Sequence, residues 1–175
     1  MNVLVTYSSG YGSTKEVAEK IAGVLKKECS ITITISSIDV VEEIDQYDGI
    51  VIGSSVRADL PLANVRDFLA RERRILPLKK VAFFAVCLAA ACEDGRMDII
   101  NNFINPLFKK YPDIHLIESE AFAGKVNFEQ MNPVMQELTK TVLKRKGIDA
   151  SSSVDIRNWD YIEAWSKNLC NKLNN

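Results

Sequence analysis

Residues 8–14 read Ser8, Ser9, Gly10, Tyr11, Gly12, Ser13 and Thr14. Four aliphatic hydroxyls and two glycines stand within one short stretch. Hydroxyls donate to anionic oxygen, and glycine lets a backbone bend sharply and come close to a ligand. The stretch follows the strand-like run Asn2 to Tyr7 and precedes a helical pattern that begins near Lys15. A turn from strand to helix points the first free N–H groups of the helix into the loop, with partial positive charge behind them. The chemistry that suits this stretch is the binding of a phosphate.

Spacing narrows which phosphate. The nucleoside-triphosphate loop requires G-x-x-x-x-G-K-[ST], and here Lys15 follows Thr14 with no glycine directly before it. The dinucleotide fingerprint requires G-x-G-x-x-G; Gly10 and Gly12 are present, but the third position is Lys15. What remains is a compact hydroxyl-rich loop without an obligatory cation. It suits one terminal phosphate monoester held by backbone N–H groups and hydroxyls.

The elements that position this loop follow from periodicity. Residues 2–7 form a first strand, and Val17, Ala18, Ile21, Ala22, Val24 and Leu25 lie at helical spacing after it. Residues 31–35 alternate strictly between Ile and Thr, the pattern of a half-exposed edge strand. The acidic stretch 39–45 reads as a solvated connection, with one short helical turn as the alternative. Residues 48–53 form a short central strand, and Pro61 opens a helix bearing Leu62, Val65, Phe68 and Leu69. Residues 80–87 are a continuous apolar strand, buried on both faces. A helix over 97–110 carries Pro106, which predicts a kink or an early end. A last strand covers 114–123. Beyond it come an amphipathic helix over 128–146 and a final helix from Asn158 to Lys172, capped by Asn158.

Strands alternating with helices predict a doubly wound α/β fold with right-handed crossovers. The expectation is a single domain, 1–175, around a five-stranded parallel sheet, with an extra helix after the last strand. Ligands of such folds bind at the carboxyl ends of the strands. The loops at 8–14, 54–60 and 87–95 therefore matter most.

Composition excludes several classes. A net charge of −1 argues against a nucleic-acid binder. No apolar run is long enough to span a bilayer, and the N-terminus has no secretory-signal pattern. Cys29, Cys87, Cys92 and Cys170 are scattered without paired short spacings, which reads as reduced thiols in a cytoplasm. Cys87 and Cys92 lack nearby histidine or further cysteine, so no metal site is expected. His115, at a strand start, and the charged run 71–74 read as surface residues.

The order strand, S-S-G-Y-G-S-T, helix resembles the phosphate loop of the flavodoxin family, which binds flavin mononucleotide (FMN). Val51-Ile52-Gly53-Ser54-Ser55-Val56-Arg57 resembles the ring-side loop of one branch, the flavodoxin-like, menaquinone-dependent protoporphyrinogen dehydrogenases of bacteria. Tyr47-Asp48, Ala123-Gly124 and Asn158-Trp159-Asp160 agree with that branch, and the helix at 128–146 sits where the branch has an insertion. The segment 58–63 departs from it, and with the added helix must carry the substrate information.

By this resemblance the sheet is flavodoxin-like with strand order 2-1-3-4-5, Ser8, Ser9, Gly10, Tyr11, Gly12, Ser13 and Thr14 cradle the FMN phosphate, and Ser54, Ser55, Val56 and Arg57 meet the isoalloxazine ring. A cation near the N1/O2 edge would raise the flavin potential. Cys87, Leu88, Ala89 and Ala90 are small or apolar and let a flat ring lie against backbone N–H groups. No aromatic residue in that loop sandwiches the ring, so one ring face is expected to be open to a substrate. The implied function is an FMN-dependent oxidoreductase that takes electrons from a reduced organic substrate, by resemblance protoporphyrinogen IX, and passes them to a quinone or another acceptor. The alternative is a flavodoxin-type electron carrier docking to a redox partner protein. The expected location is cytoplasmic; the Met131/Met135 stripe reads as core or partner-facing surface, with attachment to a membrane surface as the lesser alternative. No side chain stands out as a catalytic acid or base, and the oligomeric state is open.

Overall fold

The computed structural model describes residues 1–57, 60–145 and 147–175. Ala58 and Asp59, part of the expected ring-side loop, and Lys146, at the expected end of the added helix, lie outside the described residues. So do the side chains of Arg57, Leu60, Pro61, Gln130 and Arg145.

The strands are β1 (Asn2–Ser8), β2 (Thr32–Ser37), β3 (Gly49–Arg57), β4 (Leu60–Pro61), β5 (Lys80–Val86), β6 (Leu116–Phe122), β7 (Lys125–Val126) and β8 (Val154–Asp155). The helices are α1 (Ser13–Glu28), α2 (Ala63–Arg71), α3 (Glu93–Ile99), α4 (Asn105–Phe108), α5 (Pro133–Arg145) and α6 (Trp159–Asn174). The main sheet runs β2-β1-β3-β5-β6, all parallel. With the two-residue β4 set aside, this is the expected order 2-1-3-4-5. Residues 32–35 of the alternating run do lie in an edge strand, β2.

The apolar strands alternate between two cores. Val3, Val5, Val51, Ala82, Phe84 and Val86 pack under α1 and α6 on one face. Leu4, Ile50, Ile52, Val81, Phe83 and Ala85 pack under α2, α3 and α4 on the other. That is why residues 81–86 are apolar without interruption: both faces of β5 are covered. Each large side chain buried this way contributes roughly 1.5–3 kcal/mol.

Three details differ from, or refine, the periodicity reading. Pro61 does not open α2. It lies in β4, which turns back antiparallel onto β3 with Val56 opposite Pro61, and α2 begins at Ala63 with Leu62 at its N-cap. Proline lacks an N–H and suits a strand edge as well as a helix start. The bend at Pro106 takes the form of one wide turn, Ile100–Ile104, between α3 and α4. Proline cannot donate back into the helix, and a wide turn absorbs the missing bond. The expectation of four reduced thiols fails for one pair: Cys29 and Cys170 form a disulfide, with Cα atoms 5.6 Å apart. They are 141 residues apart in sequence, and only the packing of α1 beside α6 brings them together.

The segment after β6 is a small unit of its own. β7 and β8 pair antiparallel, Lys125 opposite Asp155 and Val126 opposite Val154. Between them a short turn at Phe128–Gln130 leads into α5. Val126, Leu143 and Ala150 form its buried centre, with Leu88 of the main body packed against it. Among the described residues no helix is long and apolar enough to cross a membrane.

Gly53 on β3 sits beneath the buried ring of Phe84, and a Cβ there would lie 2.2 Å from Phe84 Cζ. Phe84 cannot swing away, because the rings of Phe122 and Trp165 flank it at 6.1 and 6.4 Å. Gly53→Ala should therefore lower stability by about 1–3 kcal/mol through overpacking. Urea unfolding monitored by circular dichroism checks this; an unchanged midpoint would show that the core has room.

Candidate functional site

The first turn of α1 has the features of an anion site. Gly12 occupies the N-cap position at φ +85°, a left-handed conformation that favours glycine, and no side chain caps the helix. The helix is 16 residues long, so its dipole is fully developed. The hydroxyl oxygens of Ser9 and Thr14 are buried and have no hydrogen-bond partner among the described residues. Thr14 is only 1% exposed. Buried hydroxyls in native folds find partners. Two orphaned ones beside an uncapped helix start fit an anionic group with several acceptor oxygens, such as a phosphate.

These residues open into a cleft of about 350 Å³. Of the residues expected from sequence, Ser9, Tyr11, Ser13, Thr14, Ser55, Val56, Cys87, Leu88 and Ala89 line it. Ser55 Oγ is a third buried hydroxyl of the cleft without a hydrogen-bond partner among the described residues. The remaining expected residues lie around the cleft. Gly10 is exposed in the turn, and Gly12 shapes the helix start. Ser8 Oγ donates to Asn64 Oδ1 at 2.7 Å, tying the end of β1 to α2. Ser54 Oγ donates to the Ser55 carbonyl at 3.0 Å. Ala90 is buried in the short turn 89–91 and packs into the core under α3. Arg57 ends β3, its backbone paired with Leu60.

The cleft has two ends and a roof. Hydroxyls cluster at the α1 end, while Val86, Leu88, Ile99 and Val126 line the apolar part. Met131, Met135, Thr139 and Val142, from the turn before α5 and from α5 itself, complete the wall. Periodicity marked most of these as one apolar helix stripe, but nothing in the sequence says that the stripe faces the loops at 8–14 and 87–89. Lys125 and Gly124 were missed for a related reason: they follow a strand far along the chain, and only the parallel sheet carries that strand end to the loop at 8–14. The tie is direct, since the Lys125 backbone N–H donates to Ser13 Oγ at 2.9 Å.

An ionic network around the buried Glu120 holds the loop after β5. Arg96 on α3 donates to both oxygens of Glu120 at 2.8 and 3.0 Å and to Glu93 at 2.5 and 3.1 Å. Glu120, on β6, is 6% exposed and also accepts the Tyr161 hydroxyl at 2.5 Å. The network thereby joins α3, β6 and α6. A Cβ on Gly95 would lie 1.9 Å from the Ala89 carbonyl oxygen, so α3 runs directly against the loop lining the cleft. What fixes α3 fixes that loop.

Residues 4–153 match the family described as flavodoxin domain. This chain belongs to the flavodoxin-domain family. FMN is the cofactor of this flavodoxin domain, and the orphaned hydroxyls at the uncapped helix start are a fitting seat for its phosphate. The domain is 23% identical to the Escherichia coli (strain K12) protein named protoporphyrinogen IX dehydrogenase [quinone], over 97% of this chain and 94% of the relative. In fold it is similar to a flavodoxin from the domain Archaea (TM-score 0.58, 13% identity, all of both chains). It is likewise similar to oxidised flavodoxin 1 from Bacillus cereus (TM-score 0.55, 22% identity, 85% of this chain and all of that one).

Burial, and then the bond to Glu120, push the Tyr161 phenol up to about 12. The folded value is thus raised above the ordinary one near 10, so the stabilisation is fully present below pH 10 and is lost as pH rises through about 12. Unfolding of the protein and of Tyr161→Phe across pH 7–12 checks this. The gap between the two should be constant up to about pH 10 and shrink above it. A gap that does not change with pH would mean the phenol is not coupled to Glu120.

Proposed function

We propose that the protein, as a single domain over 1–175, is an FMN-dependent oxidoreductase acting on a flat, largely apolar organic substrate, of the protoporphyrinogen dehydrogenase type. The observation that carries this reading is the roof. An electron carrier needs only an exposed flavin edge, whereas here an inserted unit adds Met131, Met135, Thr139 and Val142 to the wall of the flavin cleft. The 23% identity to the E. coli dehydrogenase over nearly the whole chain supports it.

In this reading Ser9, Ser13 and Thr14, with the first N–H groups of α1, hold the phosphate. Ser55, Val56, Cys87, Leu88 and Ala89 border the ring. FMN held there would supply the redox chemistry between a reduced organic substrate and a quinone or another acceptor. Among the described residues lining the cleft there is no carboxylate and no histidine. The part of the polypeptide in this reading is to bind, to orient and to exclude water. Methionine suits such a roof, being unbranched and able to adapt to an aromatic surface. Arg57 is proposed as the cation beside the ring.

Two measurements test the proposal. Anaerobic mixing of the FMN-loaded protein with protoporphyrinogen IX and a menaquinone analogue should produce porphyrin fluorescence that requires both FMN and quinone. No porphyrin, together with rapid electron delivery to a small redox protein, would replace the dehydrogenase reading with a carrier. In Arg57→Ala, FMN should be retained and the two-electron potential should fall, by about 30 mV for each ~1.4 kcal/mol of lost stabilisation. An unchanged potential in spectroelectrochemical titration would remove Arg57 from the ring.

A further inference from the structure

We infer that Lys125 is a phosphate-binding residue of this cleft, supplying from the far end of the sheet the cation that the hydroxyl loop lacks. The inference rests on the assignment of the cleft to FMN. Lys125 is the one charged residue among the described residues that line the cleft. The hydroxyls of Ser9, Ser13 and Thr14 line the same space. The backbone of Lys125 is fixed there, because its N–H donates to Ser13 Oγ at 2.9 Å and it pairs across the β7–β8 ribbon with Asp155. A phosphate monoester near neutral pH carries about 1.5 to 2 negative charges. A helix N-terminus offers only about half a positive charge against it. A lysine beside the loop closes much of that deficit.

The surrounding charges leave Lys125 available. The groups facing it are Glu16 on α1, Asp155 on β8 and Arg157. Arg157 is the locked cation: its side chain is 2% exposed, bonded to Glu16 Oε2 at 2.7 Å and to Asp155 at 2.5 and 2.8 Å, and stacked 4.3 Å over Trp159. Both carboxylates are thus already answered. Lys125 Nζ lies 3.9 Å from Glu16 Oε1, beyond hydrogen-bond distance, and both side chains are 40% or more exposed. An exposed pair of this kind contributes little and is easily exchanged for a stronger acceptor. A dianionic phosphate at the start of α1 is such an acceptor.

Titration of the apoprotein with FMN and, separately, with riboflavin, read by quenching of flavin fluorescence, tests the inference. Riboflavin has the ring and lacks the phosphate. Lys125→Met keeps the backbone N–H that Ser13 accepts. It should weaken FMN binding by about 10-fold or more at low salt and leave riboflavin unchanged. Lys125→Arg should restore most of the loss, and 0.5 M salt should narrow the gap between the original protein and Lys125→Met. An equal loss for both flavins would mean that Lys125 supports the cleft rather than the phosphate, and would overturn the inference. Unaltered FMN affinity in Lys125→Met would overturn it as well, leaving the phosphate to the hydroxyl loop alone. If the unsubstituted protein bound riboflavin as tightly as FMN, or bound neither, the cleft assignment itself would fall.

Discussion

A helix of 16 residues that starts without a side-chain cap leaves strong N–H donors and a dipole unanswered at a buried strand end. The fold is arranged around that end. β1 delivers it, Gly12 turns the chain there, and β3 and β5 finish beside it, so that three loops converge. The two ends of the inserted unit are bonded to the same first turn, Lys125 through Ser13 and Arg157 through Glu16. In the proposed reading, binding energy gathered at the phosphate is spent on placing the ring and its roof. An ordinary capping serine or aspartate at Gly12 would satisfy the helix internally and weaken its attraction for a ligand.

Much of this was legible in the sequence because it is local. The run Ser8 to Thr14 reads as a turn from an apolar strand into a helix, and β1 and α1 stand on either side of it. Residues 80–87 announce a strand covered on both faces. Strict alternation at 31–35 announces an edge. Asn158 was legible as a cap, and its Oδ1 accepts the Tyr161 N–H at 2.9 Å. In each case a period or a cap depends on neighbours a few residues away.

The rest depended on packing between distant segments. Lys125 looks like any surface lysine until β6 carries it to Ser13. Cys29 and Cys170 look unrelated until α1 and α6 lie side by side. Glu120 sits in a strand where alternation allows either face, and its burial makes sense only once Arg96 and Tyr161 arrive from two helices. Pro61 is ambiguous in sequence between a helix start and a strand edge, and its pairing with Val56 decides for the edge.

The two-residue pairing of β7 with β8 has a consequence for how this molecule could diversify. Chain leaves the main body at Lys125 and returns at Asp155 directly opposite, so the excursion begins and ends at one point. Loop-closure entropy grows only slowly with length, so residues can be added to or removed from such an excursion with little effect on the sheet it springs from. The excursion is in this sense an exchangeable part: its length and lining can drift while the main sheet and the loops that border the cleft beneath it stay as they are.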